Sequence, residues 1–109
     1  IAVTLPEATG SGARYRFVIG VAATATAHTI AALTTDIMHG NSYVVTTTST
    51  NAEGFHTSAT SDKITLDGTT QGGFVGDIIE LEDFKDATWA VVMWVNGTGT
   101  EATPFSATV

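Results

Sequence analysis

The chain has 109 residues, a formal net charge of −7 and no cysteine. That length suits a single domain over residues 1–109, with about two-thirds of the unfolded surface buried on folding. The missing cysteines exclude disulfides and thiolate metal sites. Four scattered basic residues, Arg14, Arg16, Lys63 and Lys85, make nucleic acid and anionic membrane poor partners.

Roughly a fifth of the residues are Thr, and Val, Ile and aromatics add further strand formers. Glu, Lys and Leu are sparse, so the composition favours pleated sheet over helix. No run approaches the ~20 apolar residues of a membrane-spanning helix. The chain opens at Ile1 inside a strand-like run, "IAVTL", which leads us to expect a preceding arm.

In chain order, Ile1–Leu5 reads as a short strand and Pro6–Gly12 as a turn-rich loop. "ARYRFVIG" alternates, with Ala13, Tyr15, Phe17 and Ile19 on the inward face and Arg14, Arg16 and Val18 on the other. Val21–Leu33 reads as an extended Ala/Thr segment leading to a strand near His28–Ala32. Thr34–Ser42 reads as a connection turning at Gly40-Asn41, followed by a strand over Tyr43–Thr50. Asn51–Asp62 is expected to be a polar loop with its tip near Gly54. "KITLDG" places Ile64 and Leu66 inward, and Thr69–Gly76 is a Gly-rich bend.

"GDIIELEDFKDATWAVVMWV", Gly76–Val95, reads as a hairpin. Ile79 and Leu81 face one way, Glu80 and Glu82 the other. After the "KDA" turn, Trp89, Val91, Met93 and Val95 share one face, and Ala90, Val92 and Trp94 the other. Asn96-Gly97 signals a closing turn. Pro104 makes the last segment an edge or a tail. Seven or eight short strands at regular spacing predict an all-β fold, a single-domain antiparallel β-sandwich or small β-barrel.

The returning strand is apolar on both faces. Leaving a Trp and a Val bare forgoes roughly 2–3 kcal/mol each relative to burial. Two arrangements resolve this: cover from the same chain, or cover from another copy.

Candidate chemistry is thin. Glu80 and Glu82 sit about 7 Å apart on one strand face, within the range of a glycosidase pair. A general acid, however, needs an enclosing apolar cleft, and a solvated face does not supply one. Asp77, Glu80, Glu82, Asp83 and Asp86 form an acidic run without the alternating Asp/Asn–Gly loop of a calcium hand. His28, His39 and His56 lack metal-ligand spacing. No Ser lies in G-x-S-x-G, and "GGFVGD" is not a phosphate loop. Asn96-Gly97-Thr98 matches a glycosylation sequon, but the turn reading takes precedence. Tyr43, Phe55, Phe74 and Trp94 are candidates for a sugar platform. No catalytic residue, metal or cofactor is expected.

Three segments, "VTLPEATGSGARYRF", "ITLDGTTQGGFVGDIIELEDF" and "GTGTEATPFSAT", resemble small tailed-bacteriophage virion proteins of the head-decoration or head-fibre-like kind. A looser likeness exists to trimeric phage tail-fibre modules; residues 21–62 take no part in it. The resemblance implies a non-enzymatic β-rich protein on the capsid surface of a virion, bound to the major capsid protein and assembled as a homotrimer. On that reading Val92 and Trp94 form the subunit contact, and Phe105 docks on a partner. The rival reading is a tail-fibre or host-adhesion module that binds glycans.

Overall fold

A computed structural model describes residues 1–47 and 51–109. Nine strands carry the fold: β1 (Ala2–Thr4), β2 (Arg14–Val18), β3 (His28–Ala31), β4 (Ile37–Thr46), β5 (Ala52–His56), β6 (Lys63–Leu66), β7 (Ile78–Lys85), β8 (Thr88–Gly97) and β9 (Phe105–Ser106). Among the described residues there is no helix. The strands form a four-stranded sheet, β1-β3-β6-β9, and a five-stranded sheet, β2-β7-β8-β4-β5.

Alternation decides what each strand buries. From the five-stranded sheet, Met38, Val44, Ile79, Leu81, Trp89, Val91, Met93 and Val95 enter one core. Ile30, Ile64, Leu66 and Phe105 meet them from the smaller sheet. Each such side chain contributes about 1.5–3 kcal/mol on burial. The inward row Val3–Ile30–Ile64–Phe105 crosses all four strands of the smaller sheet in register.

The hairpin forms as its pattern predicts. β7 and β8 pair antiparallel, with Leu81 opposite Val91 and Ile79 opposite Met93. The turn between them places Ala87 at φ 58°, a left-handed conformation that costs a Cβ-bearing residue about 1–2 kcal/mol.

Four expectations need correction. The sheets are mixed rather than purely antiparallel, because β1 runs parallel to β3 and β4 parallel to β8. Gly40-Asn41 is not a turn but lies inside β4, opposite Val91 and Val92. Glycine is required at position 40 by close approach: a Cβ there would stand 1.7 Å from the Val91 carbonyl oxygen. Asn96-Gly97 likewise continues β8, paired with Val45 and Thr46. Residues 52–56, expected as a loop, form the edge strand β5 against β4. The expected strand over Tyr43–Thr50 is met by β4 as far as Thr46, and its residues 48–50 lie outside the described residues.

Candidate functional site

The outward face of the five-stranded sheet gathers most of the residues singled out above. Strand register sets them in rows. The first row runs Val18–Ile78–Trp94–Tyr43–Gly54 across β2, β7, β8, β4 and β5. The second runs Arg16–Glu80–Val92–Asn41–His56, and the third Arg14–Glu82–Ala90–His39. The first row is apolar from end to end. Trp94 remains 53% exposed and Val18 52%, although both lie on ordered strands.

Trp94 and Tyr43 meet because β4 and β8 run parallel in register. Their rings stack with centroids 4.6 Å apart and planes inclined by 16°. Gly54, opposite Tyr43 on the edge strand, presents no side chain to that ring. Val92, in the next row, is half-buried. Val18 also lines a second, apolar cleft of about 280 Å³ between the sheets, shared with Val3, Phe17, Ile19, Ile30 and Leu66.

Beside the apolar row lies a shallow depression of about 350 Å³ over Arg14, Arg16, Glu80, Glu82 and Val92. Arg14 Nε donates to Glu82 Oε1 at 2.7 Å. Glu80 faces solvent opposite Arg16. The two glutamates stand on an open sheet face, without the enclosing apolar walls that a general acid requires.

The acidic run of the hairpin is divided between the two sides of the sheet. Asp77 and Asp83 are buried, Glu80 is exposed and Glu82 partly so. Asp77 accepts hydrogen bonds from the N–H groups of Gly73, Phe74 and Asn96 and from Asn96 Nδ2, at 2.8–3.1 Å. This links the Gly-rich bend to β8. Asp83 accepts from the backbone of Thr9, Gly10 and Ser11 and from the Ser11 hydroxyl. Burial alone pushes the Asp83 carboxyl up, but these donors outweigh it and bring the pKa from 3.8 to about 2. Asp67 moves in the same direction: burial raises it, and donors from Gln71, Thr69 and Thr70 lower it further. These aspartates therefore hold loops through backbone N–H groups. Among the described residues, no group of three or more His, Asp or Glu is placed to hold a metal ion.

The other candidates are dispersed. His28 Nε2 donates to the Val21 carbonyl at the sheet margin. His56 Nδ1 is bonded to Asn41 Oδ1 on the outward face. Phe55 and Phe74 are partly buried, Phe55 against the core, so of the four aromatics only Tyr43 and Trp94 come together. Phe105 is 6% exposed and packs within its own core opposite Ile64. The docking role expected of it is corrected accordingly, because the ring is not at the surface. Ile78 was not singled out from the sequence, yet it completes the apolar row. Its signal was an apolar residue in phase with Glu80 and Glu82.

Compared with protein-family models, with curated proteins and with solved structures, the chain matches none.

Proposed function

We propose that this is a bacteriophage capsid decoration protein: a β-sandwich that binds the major capsid protein on the head surface and stabilises the shell without catalysis. The observation that carries the reading is the outward sheet face. It is broad, open and apolar along one full row, which suits adhesion between proteins better than turnover of a substrate. Assembly on the shell adds contacts that exist only in the particle, so each bound copy opposes shell disassembly. Symmetric copies use Val92 and Trp94 in their mutual contact.

The test is copy number and effect. Purified particles should hold hundreds of copies, and shells lacking the protein should open at lower temperature or denaturant. A handful of copies per particle would instead place the protein in a tail.

One observation favours a second reading, glycan binding. The stacked Tyr43–Trp94 pair lies next to Asn41 and His56. A flat aromatic platform beside hydrogen-bonding groups is suited to a sugar ring. Saccharide binding that shifts Trp94 emission would support it.

A further inference from the structure

We infer that the outward face of the five-stranded sheet is covered by a second copy of this chain, with the row Val18–Ile78–Trp94–Tyr43 at the centre of the contact. The inference deepens the decoration reading and rests on it for the coat-bound setting, whereas the contact itself is argued from charge, area and exposure.

Charge comes first. The ionised side chains on this face are Arg14, Arg16 and Lys85, the last opposite Thr88 at the turn end, against Glu80 and Glu82. They sum to +1. The chain as a whole has four basic and eleven acidic residues, so the rest of the molecule holds one lysine against nine acids, a charge of −8. Two copies therefore repel least when they meet through this face. A basic partner would be drawn to the acidic remainder instead, so the near-neutral charge here favours a copy of the same chain.

Area comes second. Five strands spaced about 4.8 Å apart, of five to ten residues at about 3.3 Å each, present about 600 Å². Two copies would bury about 1,200 Å², the lower bound of specific, stable interfaces. The smaller sheet does not reach this, since its outer strands have three and two residues. Exposure comes third. Aromatic and branched side chains are concentrated in one row, with the charged rows to one side of it. That is the layout of an apolar contact centre with a polar margin.

The contact has a salt signature. Repulsion between the acidic remainders opposes association, so raising ionic strength from about 0.01 M to about 0.15 M, which shortens screening from about 30 Å to about 8 Å, should tighten it. A contact built on attraction between opposite charges would weaken over the same range.

The experiment is sedimentation equilibrium on the purified chain at both ionic strengths. It compares wild type with Trp94→Glu, Ile78→Glu and the control Val75→Glu. Val75 is barer still, at 66% exposure, but lies off the sheet. The wild type should self-associate and do so more tightly in salt. Trp94→Glu and Ile78→Glu should each weaken association by at least about tenfold, with circular dichroism unchanged. Val75→Glu should not. A wild-type chain that stays monomeric, or association that Val75→Glu weakens as much as Trp94→Glu does, overturns the inference. Shell binding is read separately by co-sedimentation with particles. Monomers that still bind shells would retain the decoration reading and sink this contact; oligomers that ignore shells would do the reverse.

Discussion

Trp89 and Trp94 lie on the same strand, five residues apart, and differ in almost everything else. Trp89 is fully buried, facing the core beside Met38 and near the Tyr15 ring. Trp94 is 53% exposed, stacked on Tyr43 on the opposite face. An odd separation on a strand sends two side chains to opposite sides of the sheet. Identical residues thus stand in two settings: the inward face makes the core, and the outward face is left open to solvent. Parity, not residue type, separates core from surface in this sheet.

Truncation should expose the difference most strongly. Trp89→Ala removes a large core side chain and should cost about 3–5 kcal/mol in urea unfolding. Next comes Gly40→Ala, where the added Cβ collides with the Val91 carbonyl between β4 and β8. A loss of about 3 kcal/mol is expected, because two backbones must separate. Trp94→Ala should cost the isolated chain only about 1 kcal/mol, the ring stacking and partial burial it forgoes. Equal losses at Trp89 and Trp94 would break the comparison.

Acid tests the clamps beneath the hairpin. The Asp83 pKa is about 2 in the folded chain, below its ordinary 3.8. Its contribution to stability is therefore complete above about pH 4 and is lost as pH falls through about 2. Asp83→Asn should remove most of that acid-limb dependence and loosen the loop at Thr9–Ser11, read by amide exchange. Asp67 should add a smaller loss of the same sign. The smallest effect is expected at the hairpin turn, where Ala87→Gly relieves a positive φ. It should change stability by between zero and about 1 kcal/mol, upward.

The hairpin was legible because Ile79, Leu81, Trp89, Val91 and Met93 alternate without interruption. β6 was legible for the same reason, whereas β3 was read only as the end of an extended Ala/Thr segment. Gly40 and Gly97 misled, because glycine beside asparagine marks turns far more often than strands. What holds Gly40 in β4 is a partner strand's carbonyl, a long-range fact with no local trace. Edge strand β5 was hidden by its own composition: Ala52, Glu53, Gly54 and His56 are poor strand formers, and β4 supplies the pairing. Asp83 read only as one member of an acidic run, since its partners Thr9, Gly10 and Ser11 lie more than seventy residues away. Of the candidate site, Trp94 and Val92 were legible from β8 alone. Ile78, Val18 and Tyr43 joined them only once strand order was known.

Acrylamide quenching of tryptophan emission, followed against protein concentration, tests the covered face most directly. Trp89 is sealed in the core, so the quenchable fraction belongs to Trp94. That fraction should fall as concentration rises and copies meet face to face, and fall further in salt. Emission that stays equally quenchable from dilute to concentrated solution would mean that Trp94 remains in water and that no second copy covers it.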